Sequence, residues 1–145
     1  MVEIRTLNES NLDGWLKLRR KLWPSATRTQ HRGEVRELMQ SDNFIAWAAW
    51  HGIEAIGFLE LYVRPFANGC DSRPIPFLEG IWVDSSWRSK GIGRQLLHAA
   101  VNWARSEGFT EMGSDADLDN TVSHQAHSAW GFVETERVIY FRKKL

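Results

Sequence analysis

The chain has 145 residues, enough for one domain over 1–145 that buries roughly two thirds of its unfolded surface, and too few to require a second. Its 18 basic and 18 acidic side chains cancel, so net charge offers no argument for a nucleic-acid or membrane partner. The single Cys70 excludes an internal disulfide framework, and the opening Met1-Val2-Glu3-Ile4-Arg5 lacks the apolar core of a signal peptide, which together predict a reducing, cytoplasmic location.

Val2 to Thr6 alternates apolar and polar residues and reads as a strand. Asn8 or Ser10 then caps a helix with Leu12, Trp15, Leu16, Leu18, Arg19 and Leu22 at helical spacing, which ends or kinks at Pro24. Ser25 to Gly33 is polar and precedes a weaker helix through Val35, Leu38 and Met39. Phe44 to His51 and Glu54 to Val63 flank a His51-Gly52 corner and predict a hairpin, and Arg64 to Pro76 predicts a loop rich in turn formers. Phe77 to Val83 reads as a strand with Glu79 set inside an apolar run, followed by a turn and by a helix from Ile92 to Gly108. Thr110 to Ser114 predicts a short strand, Thr121 to Trp130 a last helix, and Val133 to Lys143 a long final strand. The expected order is β-α-α-β-β-β-α-β-α-β, an α/β chain built on a mixed sheet.

The turn after the central strand carries the strongest chemical signal. Arg88-Ser89-Lys90-Gly91-Ile92-Gly93 places two glycines where the backbone must bend sharply, just ahead of a helix whose first N–H groups have no internal partner. Such a turn suits a pyrophosphate at the positive end of the helix dipole. It is neither a Walker loop, which needs Gly-x-x-x-x-Gly-Lys-Ser/Thr, nor a Gly-x-Gly-x-x-Gly dinucleotide fingerprint. Arg-x-x-Gly-x-Gly after Leu78-Glu79-Gly80-Ile81-Trp82-Val83 resembles the coenzyme A signature of the GNAT superfamily of N-acetyltransferases, and the element order resembles that fold along essentially the entire chain.

Four separated segments carry a closer resemblance, to the aminoglycoside 6′-N-acetyltransferases of antibiotic resistance. They are Leu22-Trp23-Pro24, Asn68-Gly69-Cys70-Asp71-Ser72, Phe77-Leu78-Glu79-Gly80-Ile81, and Ser114-Asp115 with Asn120 ahead of Gly131 to Val138. The likeness implies acetyl transfer from acetyl-CoA to the 6′-amine of a kanamycin- or tobramycin-like sugar by a homodimer. It implies that the Ile81-Trp82-Val83 backbone pairs with the pantetheine arm, that Arg88, Lys90, Gly91, Ile92, Gly93 and Arg94 surround the pyrophosphate, and that Asn120 reaches the pantetheine. Asn120 also fits a plain helix cap. Trp23, Phe66, Glu79, Asp115 and Glu136 fall where these enzymes hold the sugar and its amines; at Phe66 the family commonly has tyrosine, so a hydroxyl is lost there. Trp23 as core filler is the alternative.

An amine of lysine-like basicity is neutral in about one molecule per few thousand at pH 7, so exposing its lone pair costs roughly 4 to 5 kcal/mol. Glu79 is the candidate to accept that proton or hold the ammonium; the alternative is a carboxylate paired with an arginine for structure. His127 stands where many GNAT enzymes place a tyrosine that protonates the departing thiolate. Tyr140 and water are the other candidates for that proton. Asp115-x-Asp117-x-Asp119 mimics the start of a calcium loop, but Asn120 and Ala126 stand where glycine and glutamate are needed, and no zinc spacing is present, so no metal is expected. The alternatives in function are a GNAT enzyme for another amine, such as a polyamine or a protein N-terminus, and a non-catalytic acyl-CoA sensor.

Overall fold

A computed structural model describes all residues, 1–145. Five strands, β1 (Glu3–Thr6), β2 (Phe44–His51), β3 (Glu54–Arg64), β4 (Ile75–Val83) and β5 (Gly113–Ser114), lie side by side in sequence order. The first three pairings are antiparallel and β4 with β5 is parallel, so the sheet is mixed as expected. Helices α1 (Leu12–Leu22) and α2 (Arg28–Leu38) cover one face, α3 (Ile92–Ser106) covers the other, and α4 (Thr121–Ala129) follows β5.

The alternation along β2 explains this layering. Ala46, Ala48 and Trp50 pack with Trp15, Leu16 and Leu18 of α1, while Trp47 and Ala49 pack with Leu96, Leu97 and Ala100 of α3. Of the eight tryptophans, Trp15, Trp47 and Trp50 are buried core, and the other five are only half-buried.

The central strand starts at Ile75 rather than Phe77, inside the expected loop, because Ile75 and Pro76 pair with Arg64 and Val63 of β3, and three further elements differ from the sequence reading. The polar segment before α2 is partly helical, because Thr27 and Gln30 form a reciprocal capping box that starts the helix at Arg28. The fifth strand shrinks to Gly113–Ser114, so β4 keeps a partner on that side only at Phe77 and Leu78. The final strand expected over Val133 to Lys143 is not paired within this chain: Val133, Ile139, Tyr140 and Phe141 are 79–92% exposed. No helix is long and apolar enough to cross a membrane.

The loop between β3 and β4 is anchored at its far end. The Glu111 carboxylate accepts hydrogen bonds from the backbone N–H groups of Asp71 and Ser72 and from the Ser72 hydroxyl, which hold it below the usual carboxylate range. Gly69 sits so close to Thr135 that a Cβ there would come within 2.3 Å of its hydroxyl, so this loop and the C-terminal segment touch.

Candidate active site

The turn that leads out of β4 has the character of an anion cradle. After Val83 a single helical turn, Ser85–Trp87, leads to Ser89 and Gly91, both with positive φ (61° and 81°), and α3 starts at Ile92 with no side chain capping it. The first amides of a 15-residue helix therefore point outward without partners. Gly91 takes this bend at no steric cost, whereas a β-branched residue would pay about 1–2 kcal/mol in the left-handed region. Gly91→Val is accordingly expected to weaken binding of coenzyme A, the ligand that the resemblance of this turn implies, by roughly tenfold, measured by calorimetry.

The basic side chains of this turn do not all reach for the anion. Arg88 donates from Nε to the Val83 carbonyl at 2.8 Å and stacks on Trp82, and Arg94 donates to the Ala129 carbonyl at 3.0 Å. Lys90 lies 5.0 Å from the Trp87 ring centroid. This leaves the main-chain amides around Gly91, Ile92 and Gly93 as the groups best placed to meet an anion. From Glu79 to Val83, through Ile81 and Trp82, β4 is only half-buried and has no partner strand on its β5 side, which leaves a notch for an extended molecule to pair with backbone.

At the top of the notch β4 carries a bulge. Glu60 of β3 pairs with Gly80 and Leu61 with Leu78, so Glu79 is the extra, unpaired residue. Its carboxylate binds Arg64 bidentately, at 2.8 Å to Nε and 2.6 Å to Nη2, with the Glu79 side chain 27% exposed. The arginine partnership weighed for Glu79 is therefore present, but at the rim of a cavity. These bonds raise the Arg64 guanidinium above its ordinary value, and Asp115 and Tyr140 add to the raising field. Asp115 lies immediately after β5.

The cavity, about 550 Å³, is lined by Trp23, Glu34, Tyr62, Arg64 and Glu79. Its floor is a buried polar network. Arg19 donates to Glu60 at 2.6 Å, to Glu34 at 3.1 Å and, from Nε, to His31 Nδ1 at 3.3 Å; Trp15 Nε1 donates to the other Glu60 oxygen at 2.9 Å. Since His31 Nδ1 accepts, its Nε2 carries the proton and donates to the Trp23 carbonyl at 2.9 Å. The Arg19 guanidinium also lies 4.8 Å from the Trp23 ring centroid. Burial pushes the Glu60 carboxyl up from 4.5 to about 7, against the downward pull of Arg19 and Trp15.

Trp23 is thus a braced wall. Its ring lies on Gly80, where a Cβ would come within 2.5 Å of the indole, so Gly80 leaves the space that brings the wall beside Glu79. Phe66 is half-exposed on the 65–74 loop with Arg73 over its ring, and Glu136 is exposed where the C-terminal segment meets that loop at Gly69. Asn120 caps α4 by accepting from the Ser123 N–H, as the cap reading anticipates. His127 hydrogen-bonds Ser114 at 2.7 Å. Arg19, His31, Glu60, Arg64 and Ser114 carry no expected site role in the sequence; Arg19 stands there only in the helical series of α1 and Ser114 only at the end of a short strand and in a segment of resemblance, and the signal for Arg19 and Glu60 is charge at apolar positions of a helix and a strand.

A profile of the Acetyltransferase (GNAT) family matches residues 13–132. The chain is 42% identical to an aminoglycoside N(6′)-acetyltransferase type 1 of Salmonella typhimurium, covering 99% of each sequence, and 40% identical to one of Serratia marcescens, covering 95% and 96%. The fold is similar to that of AAC(6′)-Iy in complex with the bisubstrate analogue CoA-S-monomethyl-acetylneamine, with a TM-score of 0.94 at 40% identity over 100% of this chain and 99% of the other. The apo 6′-N-acetyltransferase AAC(6′)-IG from Acinetobacter haemolyticus gives a TM-score of 0.93 at 39% identity over 99% of both. An uncapped, glycine-bent helix terminus, an open strand edge and full-length similarity agree: the chain belongs to the GNAT acetyltransferases and, within them, to the aminoglycoside N(6′)-acetyltransferases.

Proposed function

We propose that the protein transfers the acetyl group of acetyl-CoA to the 6′-amine of an aminoglycoside antibiotic in one ternary complex, which inactivates the drug. The observation that carries this reading is continuity: the anion cradle of α3 leads along the unpaired edge of β4 to Glu79, and Glu79 lines the cavity walled by Trp23. The cradle and notch fit acetyl-CoA, which is a consumed co-substrate. The pyrophosphate meets the amides of Gly91, Ile92 and Gly93, and the arm meets the backbone of Ile81 to Val83. The oxyanion formed on attack takes a backbone N–H of β4.

Within the cavity Glu79 holds the reacting ammonium. A carboxylate has about four acceptor positions, of which Arg64 uses two. Asp115 and Glu136 add negative charge for the other amines of a polycation, Trp23 supplies a flat wall, and Phe66 a second one without a hydroxyl. Thiol release from acetyl-CoA is expected with kanamycin and tobramycin. Turnover only with polyamines or peptides would move the substrate to another amine, and cofactor binding without turnover would leave an acyl-CoA sensor.

The exposed C-terminal segment points to a second copy of the chain. Residues 133–143 have strand composition, present Val133, Ile139 and Phe141 to solvent, and find no partner in their own sheet. We infer that they pair with the same protein in a homodimer. Sedimentation equilibrium should give twice the chain mass of 16.7 kDa, and Phe141→Asp should shift the population toward monomer; a monomer in the parent protein at micromolar concentration would overturn the inference.

A further inference from the structure

The strands β4 and β5 touch at two pairs, Phe77 with Gly113 and Leu78 with Ser114, and part from there on. Ser114 therefore stands at the apex of the notch, its hydroxyl 2.7 Å from His127 Nε2 and 3.5 Å from the Leu78 carbonyl. His127 Nδ1 lies 2.7 Å from the Ser123 carbonyl, which can only accept, so Nδ1 carries the proton of the neutral ring. Nε2 is then bare, and the Ser114 hydroxyl donates into it. Phe132 packs edge-on against the imidazole at 5.1 Å between ring centroids. The helix that carries His127 is joined to the cofactor turn by the Arg94 bond to Ala129 and by Trp130, whose ring would meet a Cβ on Gly93 at 3.0 Å.

The reach of the cofactor arm brings its sulfur to this apex. About twelve bonds separate the pyrophosphate from the sulfur in coenzyme A, and an extended backbone uses three bonds per residue, so the arm spans about four residues, or ~14 Å. Four residues back from Val83 along β4 is Glu79, the neighbour of the Leu78–Ser114 pair.

We propose that the Ser114 hydroxyl is the proton-transfer group of the acetyl transfer, with His127 acting through it as a temporary proton store; this rests on the function proposed above. The ammonium held by Glu79 first gives one proton to bulk water; the neutral amine nitrogen then attacks the thioester carbon, the carbonyl π pair moves to oxygen, and the new C–N bond places a positive charge on nitrogen. Its surplus proton passes to Ser114 Oγ as the hydroxyl proton passes to His127 Nε2, giving an imidazolium whose Nδ1–H goes on donating to the Ser123 carbonyl. The C–S bond breaks with its electron pair on sulfur, and the proton returns from Nε2 through Oγ to that sulfur. Amide and free thiol leave, and Ser114 and His127 regain their starting states.

The test compares Ser114→Ala, Ser114→Thr and His127→Gln with the parent enzyme, using acetyl-CoA and kanamycin. Expected are kcat values about 100-fold lower for Ser114→Ala and His127→Gln, a double variant no slower than the worse single one, acetyl-CoA KM within threefold of the parent, and recovery of most activity in Ser114→Thr. A histidine nitrogen NMR spectrum of the free protein should show His127 protonated at Nδ1, with the Nε2 resonance moved by Ser114→Ala. Unchanged kcat in Ser114→Ala, equal losses in the alanine and threonine variants, or a proton resting on Nε2 would overturn the proposal. Failure of the parent to acetylate kanamycin overturns the substrate instead; the relay predicts the same Ser114→Ala loss with any primary amine that the enzyme acetylates.

Discussion

Arg19→Ala is expected to lower the melting temperature by roughly 10–15 °C at pH 8.5, the largest stability effect of any single side chain facing the cavity. Arg19 and Glu60 are each 2% exposed and bonded at 2.6 Å. Removing one partner of a buried pair leaves the other uncompensated and costs about 3–5 kcal/mol. For a chain of this size each kcal/mol corresponds to roughly 3 °C. The penalty should shrink in acid, because Glu60 can then hold a proton and stay neutral. The parent protein carries a weaker version of the same dependence. Its folded-state value of about 7 lies above the unfolded 4.5, so the native state binds the proton more tightly. That contribution, on the order of 3 kcal/mol, is fully present below the unfolded value and is lost as pH rises toward 7. Glu60→Gln should flatten the stability profile between pH 5 and 8 in thermal scans; an unchanged slope would show that Glu60 is ionised throughout.

The same network distinguishes stability from function. In an Arg19→Met/Glu60→Leu double variant neither charge of this pair remains, and much of the lost stability should return. Trp23, however, would have lost the guanidinium over its ring and the bond that fixes the His31 tautomer. The aminoglycoside KM should therefore stay raised while that for acetyl-CoA does not move.

What sequence made legible follows from how local each feature is. The phosphate turn is written in six consecutive residues: its helix start and the bend at Gly91 are as expected, whereas Gly93 lies inside α3 and the other positive φ falls on Ser89. That β2 is covered on both faces follows from its unbroken apolar run. The Arg19–Glu60 bond joins positions 41 residues apart, and nothing in either segment says that the face of α1 bearing Trp15 and Arg19 packs on the face of β3 bearing Glu60. Glu79 was legible as a carboxylate inside an apolar strand, but its place in a bulge depends on the register against β3. For the last segment, composition predicts that residues 133–143 pair but not whether the partner is their own sheet.

Glu79→Gln should lower kcat/KM for the aminoglycoside by about 100-fold while acetyl-CoA binding, measured by calorimetry, stays within threefold of the parent. Two electrostatic changes act together. The reacting ammonium loses its anion, and Arg64, 38% exposed on the cavity wall, is left as an unmasked cation facing a polycationic substrate. Unit charges 4 Å apart at an effective dielectric of about 20 interact by ~4 kcal/mol, so a net loss of about 3 kcal/mol, or 100-fold, is a moderate expectation. Folding should hardly change, since water reaches the Arg64 side chain and can take the bond that glutamine cannot. Arg64→Met separates the two contributions: it leaves the carboxylate free, so the aminoglycoside KM should fall or hold, and in the Glu79→Gln background it should recover binding but not kcat. If Glu79→Gln turns over as fast as the parent at neutral pH, the bulge serves only to seat Arg64, and the reacting amine must be held by Asp115 on the other side of the notch.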